Sequence, residues 1–288
     1  MSTPEISVVV PARDGAGSLP GLLASLEAQT LARDRFEVVV VDNASADATA
    51  EVARGAGAVV VSEPVPNRSR ARNRGIEAAR AERIAFTDAD CVASPGWLEA
   101  LLACDGEAPL LAGPVITTVS GDPPGAVERL EQRWRFAQEH WVREGWAATA
   151  NLCVEHAALE AIGGFDPAYR HIGEDADLCV RARRAGFALG WCPAAEVSHE
   201  AEFELRPMLK RAFRHGYGAH QALRRVGTGH RAWSDPAPLL SHDRALARLG
   251  ILPAELDREE RRRLGRLARL AYGARVAGSV WAEAQRAG

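Results

Sequence analysis

The chain is poor in several things at once. Lys210 is its only lysine, and it has two methionines, three tyrosines and 6% aromatic residues. Formal net charge is −3 and the pI is about 6.3, so it lacks the basic excess with which a bulk nucleic-acid binder grips phosphates. No apolar run approaches the ~20 residues that a spanning helix needs. The N-terminus runs straight into Ile6-Ser7-Val8-Val9-Val10, without a basic segment followed by an apolar leader. Five cysteines (Cys91, Cys104, Cys153, Cys179, Cys192) include no pair at CxxC spacing. Neither a zinc site nor a disulfide framework is signalled, and a reducing, cytoplasmic setting is expected.

What is present is ordinary globular material. The 288 residues are 47% hydrophobic and 25% charged, enough for one large core or two modest ones. The first half alternates. Apolar, β-branched runs at residues 6–10, 36–41, 58–61 and 84–86 are separated by helical patterns over 19–29, 46–55 and 69–80. Near-continuous apolar strands predict a mostly parallel α/β sheet with helices on both faces. Right-handed crossovers then bring the strand C-termini to one edge, where open α/β sheets bind ligands. Ser18 reads as an N-cap before Leu19-Pro20, Ser69 as the cap of the third helix, and Gly55 with Gly57 as the end of the second. After the loop 121–125, one helix carries Trp134 and Trp141 on a single face. Residues 149–154, 189–192 and 196–199 read as strands, and 174–186 as a helix closed by glycine. The remainder is helical and Arg-rich, giving expected domains 1–203 and 204–288.

The chemistry concentrates in two acidic stretches. Thr87-Asp88-Ala89-Asp90 follows a strand. In extended backbone, residues i and i+2 point the same way. Both carboxylates can then reach one Mg²⁺ or Mn²⁺, which would complete its shell with substrate phosphates. Alone, the triplet reads equally as a polar turn. Asp42, ending the second strand, suits a nucleobase N–H or a ribose hydroxyl, or else an Asx turn. Arg68, Arg70, Arg72 and Arg74 crowd a helix start, where the dipole opposes cations and a bound anion would relieve them. A solvated basic face explains Arg68 and Arg74 better than Arg72. Glu174-Asp175 opens another helix. The dipole alone suits carboxylates there, and one could serve as a general base that takes a proton from an incoming hydroxyl. His199 is either structural or a nitrogen ligand for the cation.

In this order, these pieces resemble the family 2 glycosyltransferases of the GT-A fold, over roughly residues 6–200. The resemblance is carried by Val8-Val9-Val10-Pro11, Gln29-Thr30, Val39-Val40-Val41-Asp42-Asn43-Ala44-Ser45, Ala71-Arg72-Asn73-Arg74-Gly75-Ile76 and Phe86-Thr87-Asp88-Ala89-Asp90. It continues with Gly163-Gly164-Phe165-Asp166, Gly173-Glu174-Asp175 and His199. It implies an inverting transferase that uses a nucleotide-diphospho-sugar, a UDP-sugar favoured, and a divalent cation. By that likeness Asp42 and Arg72 hold the nucleotide, and Pro11, Ala12 and Arg13 line the base. Asp88-Ala89-Asp90 with His199 forms the metal site. Asp175 is the base and Glu174 its acceptor-orienting neighbour. Where many relatives have a further acid after the metal motif, this chain has Cys91. It also lacks the Gln-x-x-Arg-Trp motif of processive synthases, which favours a single transfer to a hydroxyl-bearing acceptor.

Trp134, Trp141, Trp146, Thr149 and Asn151 are candidate acceptor contacts, with helix packing as the plain alternative for the tryptophans. The C-terminal helix interleaves Arg258, Arg261, Arg262, Arg263, Arg266, Arg269 and Arg275 with Leu264, Leu267 and Leu270. This pattern allows an interfacial helix on the inner membrane face, a docked helix or a homodimer contact. Two other functions stay open. One is a sugar-phosphate nucleotidyltransferase, for which Arg13-Asp14-Gly15-Ala16-Gly17 would have to serve as the phosphate loop. The other is a non-catalytic nucleotide-sugar binding module.

Overall fold

The computed structural model describes residues 3–104, 108–119, 121–134, 137–169, 172–200, 204–226, 237–249 and 251–284. In chain order the elements begin β1 (Ile6–Ala12), α1 (Leu19–Glu27), β2 (Phe36–Asp42), α2 (Thr49–Gly55), β3 (Val59–Ser62), α3 (Arg68–Ala78), β4 (Arg83–Phe86) and β5 (Cys91–Ala93). There follow α4 (Trp97–Ala103), β6 (Leu110–Ala112), β7 (Val115–Thr118), α5 (Ala126–Trp134), α6 (Gln138–Glu144), β8 (Leu152–Glu155) and α7 (His156–Ile162). The last are α8 (Glu174–Arg184), β9 (Leu189–Trp191), β10 (Val197–Glu200), α9 (Leu205–Val226), α10 (Ala237–Leu240), α11 (His242–Arg248) and α12 (Arg258–Ala284).

Seven strands form one sheet in the order β3-β2-β1-β4-β8-β6-β9. Strands β1 to β4 run parallel, as does β9 beside β6, and only β8 is antiparallel to its neighbours. Val8, Val9 and Val10 are all fully buried. Successive strand residues face opposite sides, so helices must cover both faces, as the uninterrupted β-branched runs predict. Three more strands form a second sheet in the order β5-β10-β7.

Contacts divide the chain into two units. The first comprises residues 1–116, 137–170 and 174–199, and the second 117–136, 171–173 and 200–288. The second unit thus joins residues 200–288 to two earlier segments. In the first unit Val9, Val39, Val41, Ile84, Phe86, Leu110, Leu152 and Phe165 form a common core. In the second, Leu130, Met208, Leu246, Leu264 and Ala268 form a separate one. There α9 and α12 approach so closely that a Cβ on Gly216 would lie 1.8 Å from the Arg275 carbonyl oxygen, and one on Gly278 2.0 Å from that of Phe213. Among the described residues no helix is long and apolar enough to cross a membrane.

Several local expectations are corrected. Ser18 precedes α1, but its side chain caps no helix N–H. Asn67, not Ser69, caps α3 by accepting from the Arg70 amide at 3.0 Å. Residues 149–151 form a 3₁₀ turn, and the strand begins only at Leu152. Trp134 and Trp141 lie in two helices, α5 and α6, and in different units. The intervening Arg135-Phe136-Ala137 holds no glycine or proline, so the sequence carried no breaker. Cys104 and Cys192 are joined in a disulfide although 88 residues separate them. Spacing rules see only local pairs. This pair is made by tertiary structure, and it overturns the expectation of unpaired thiols.

Gly75 brings α3 tightly onto β1, since a Cβ there would meet Val9 Cγ1 at 2.3 Å. Overpacking of this kind costs about 1–3 kcal/mol. Gly75→Ala is therefore expected to lower stability by that amount in urea unfolding. An unchanged midpoint would mean that the α3–β1 contact relaxes freely.

Candidate active site

The C-terminal edge of the parallel strands gathers the first group of residues. Ala12 pairs in register with Asp42. The Thr87 amide donates to the Val9 carbonyl at 3.4 Å, so Asp88 leaves β4 beside the end of β1. A Cβ on Gly15 would touch both Ala12 and Ala89 at 3.8 Å. Pro11, Ala12, Asp42, Asp88 and Ala89 thus share one edge, while the Arg13 side chain is 54% exposed and lies 3.8 Å from Asp14. Asp42 Oδ1 accepts from the Ser45 amide at 3.1 Å, which is the Asx turn.

The loops after β1 and β2 lock together. The amides of Asp14, Gly15 and Ala16 donate to Ser45 Oγ, Thr49 Oγ1 and Asp47 Oδ2 at 3.0, 2.9 and 2.9 Å. A phosphate loop needs such amides free for its ligand, and these are committed. This removes the structural basis for the nucleotidyltransferase reading.

Helix α3 supplies the cations. Arg72 is 1% exposed and bridges two acids, donating to Glu174 Oε1 at 2.7 Å and to Asp88 Oδ1 at 3.2 Å. Its guanidinium also lies over the Phe165 ring at 5.4 Å. The expectation that Arg72 contacts nucleotide is thereby altered: the side chain is an internal clamp between the β4 loop and α8. Arg68, assigned above to a solvated face, sits 3.7 Å from Glu174. The side chain is 52% exposed, so only local desolvation works against its charge, and Glu174, Asp88, Asp175 and Asp90, in that order, hold its pKa above the usual value. Acids from two distant stretches thus act on one guanidinium, with Glu174 in ion-pair contact. Arg74 pairs with Glu77 on the surface, as the plain reading expects.

The start of α8 is electrostatically tense. Burial would raise the Glu174 pKa, but Arg72 and Arg68 outweigh it and hold the carboxyl below its usual range. Burial, then the neighbouring Glu174 carboxylate, push Asp175 up to about 7 against the pull of Arg72. Glu174 Oε2, Arg72 Nε and Ser69 Oγ are buried without a hydrogen-bond partner.

Asp90 Oδ2 meets His199 Nε2 at 3.0 Å. His199 stands opposite Cys91 in the β5–β10 ladder, which places it beside the metal motif. The expected three-way convergence is corrected, however. Asp88 turns to Arg72, and among the described residues no three His, Cys, Asp or Glu side chains are grouped to hold an ion. Arg72 is a permanent cation already at hand, and it holds Asp88. The donor chemistry still fits a hard divalent cation. Oxygen and imidazole donors are adjacent at Asp90 and His199, with Asp88 on the same loop. Cys91 is 1% exposed, and burial, then Asp88 and Asp90, raise its thiol pKa, so it packs as a small apolar group.

Among the acceptor candidates, Asn151 is fully buried and structural. Its Oδ1 accepts from Trp97 Nε1 at 2.9 Å, and its Nδ2 donates to the Pro114 and Ala195 carbonyls at 2.8 and 2.7 Å. That corrects its acceptor assignment. Thr149 is also buried, at 3% exposure. Trp141 and Trp146 stack at 4.5 Å, and Trp146 packs on the first unit's core. The Trp134 side chain lies outside the described residues. Sequence reasoning missed Asn73, whose amide group accepts from the Phe165 N–H and donates to its carbonyl, both at 2.8 Å. Gly164, at φ +65, leaves room for that contact, since a Cβ would meet Asn73 Oδ1 at 2.7 Å. Both residues stand in the quoted motifs, but only the fold shows that they pair.

Comparison with known proteins now decides the family. Residues 84–257 match the family described as "Glycosyl transferase family group 2", and residues 7–145 match "Glycosyl transferase family 2". The chain belongs to the family 2 glycosyltransferases. It is 32% identical over 233 residues to the pre-mycofactocin glycosyltransferase of Mycobacterium tuberculosis, a match covering 76% of this chain. The match covers 48% of that relative, so the chain spans about half its length. Glycosyltransferase AglE of Haloferax volcanii is 29% identical, with 76% of this chain and 74% of the relative covered. In structure the chain resembles the mannosyltransferase PcManGT of Pyrobaculum calidifontis, solved with GDP-Man and Mn²⁺. The TM-score is 0.66 and the identity 21%, over 97% of this chain and 88% of the other. It also resembles TarS of S. aureus solved with UDP, at TM-score 0.55 and 16% identity, over 98% and 91%. These likenesses fix the GT-A fold of the family 2 chain.

Removing the clamp strands a buried acid. Breaking a buried ion pair from one side costs about 3–5 kcal/mol. Arg72→Ala is expected to lose that much stability in urea titrations, and adding Glu174→Gln should restore part of it. Equal loss in single and double variants would show that the pair is not coupled.

Proposed function

We propose that this chain transfers a sugar from a nucleotide-diphospho-sugar to an acceptor hydroxyl, in a single inverting displacement. The Arg72 bridge, which draws the Asp88 loop and the Glu174-Asp175 helix start together at the sheet edge, carries this reading. Solved structural neighbours bound to GDP-Man and to UDP support the donor class. The best-placed base is Asp175. A base is most useful when its pKa lies near the working pH, and burial beside Glu174 puts this carboxyl at about 7. Asp175 takes the proton as the acceptor oxygen bonds to the anomeric carbon. The bond from that carbon to the diphosphate oxygen breaks, and its electron pair leaves with the diphosphate. Arg68, half exposed among the acids, is available to the departing phosphates. Glu174 holds the base in place through Arg72 and keeps its proton affinity high. Asp90 and His199, which already meet, would hold Mn²⁺ or Mg²⁺. When bound, that ion would supply Lewis-acid neutralisation of the leaving diphosphate.

Asp175→Asn is expected to retain donor binding by calorimetry and to lose transfer by on the order of a thousandfold or more. Retained transfer would remove Asp175 as the base. In the parent protein, kcat/KM is expected to fall about tenfold per unit as the pH drops below about 7, because protonated Asp175 cannot accept a proton. A rate flat from pH 5 to 8 would contradict this. Stability has the opposite sign. The folded pKa of Asp175 lies above its unfolded value of 3.8, so its contribution to stability diminishes as pH rises from about 4 through about 7. Asp175→Asn should therefore melt higher than the parent at pH 8, a shift that calorimetric scanning reads directly.

Turnover should vanish in excess chelator and return with Mn²⁺ or Mg²⁺. Full activity in the chelator would exclude the cation role.

A further inference from the structure

The second unit carries a surface that the transfer reading does not use. Helix α12 buries Leu264, Ala268, Ala271, Tyr272, Gly278 and Ala282. Close glycine contacts with α9 hold it in place. Its opposite face is divided along its length. Arg258, Arg262, Arg263 and Arg266 are exposed in the first half and Arg269 is half-buried, with Glu259 the exposed acid among them. Beyond them the exposed large hydrophobics are Leu270 50%, Val280 63% and Trp281 53%, and the exposed acid Glu283 is paired with His220. Arg262, Arg266, Leu270, Gly273, Ala277 and Trp281 follow one another at steps of three or four residues, so one face presents both halves. Beside the cationic half lies a cavity of about 650 Å³, whose polar lining is Glu259, Arg262, Arg263 and Arg266 and whose apolar lining includes Leu205 and Leu267.

We infer that this face docks on the surface of an anionic lipid bilayer. Its chemistry answers both layers of such a surface. Arginine guanidiniums reach headgroup phosphates while their stems lie along apolar surface. Tryptophan and the aliphatic side chains settle at the boundary between headgroups and acyl chains. No described helix is apolar enough to span, so the contact is parallel to the membrane plane. A second copy of the chain suits the face less well. Antiparallel pairing of two α12 faces sets each arginine half against the other's apolar half, burying guanidiniums without acids. Parallel pairing sets arginines against arginines. A nucleic acid would use the arginines and leave Leu270, Val280 and Trp281 in water. This inference does not depend on which reaction the first unit performs.

The test is co-sedimentation of the full chain with vesicles. It is expected to pellet with equal parts phosphatidylglycerol and phosphatidylcholine and to stay in solution with phosphatidylcholine alone. The triple variant Arg262→Gln, Arg266→Gln, Arg269→Gln should lower partitioning on the order of a hundredfold. Leu270→Ser, Val280→Ser, Trp281→Ser should lower it at least about tenfold. These positions lie on the outward face, and circular dichroism checks that both variants keep their helices. Equal binding to both vesicle types, binding to neither, or anionic binding that both triple variants retain would overturn the inference. So would a dimer in sedimentation equilibrium that the apolar triple variant dissolves, which would assign the face to a second copy. Tight binding to duplex DNA in place of vesicles would overturn it too.

Discussion

A single buried guanidinium organises the first unit. Arg72 ties the loop after β4 to the first turn of α8 by donating to Asp88 and to Glu174. These acids lie 86 residues apart in sequence, with Arg72 on a third element. A buried arginine without partners would carry a penalty of several kcal/mol, so the chain is constrained to bring all three together. Other features support the clamp. Gly75 lets α3 lie flat on β1, and Asn73 fastens the Gly163-Gly164-Phe165 turn to the same helix. Phe165 in turn offers its ring to the Arg72 guanidinium.

The clamp also creates an imbalance that suits catalysis. The clamp keeps Glu174 ionised, and burial together with that charge raises the pKa of Asp175, its immediate neighbour. Two adjacent carboxyls thus take different protonation behaviour from different surroundings, a pattern that separates structural from reactive acids. The orphaned Glu174 Oε2, Arg72 Nε and Ser69 Oγ mark the same place as polar and incompletely satisfied. Natural interiors rarely leave such atoms unpaired without cause.

Local pattern revealed much of this architecture. β1, β2 and β4 were legible because they are buried on both faces, and so read as unbroken β-branched runs. Asp42, Asp88 and Asp90 were legible as acids at strand ends, and topology alone placed those ends on one edge. What was hidden was made by distance. Nothing near Arg68 in sequence shows that it pairs with Glu174 or that Asp88, Asp90 and Asp175 help hold its charge. Asn151 looked like a polar residue near the site, but its amide is consumed by Trp97, Pro114 and Ala195, each at least 37 residues away. The helix break between Trp134 and Trp141 had no breaker to announce it, and the Cys104–Cys192 bond no spacing motif.

That covalent link has a topological consequence. It encloses residues 105–191, a ring that contains Glu174 and Asp175, whereas Asp88 and Asp90 precede it and His199 follows it. One protease cut anywhere inside the ring would leave a nicked molecule whose two pieces stay covalently joined until a thiol reductant opens the link.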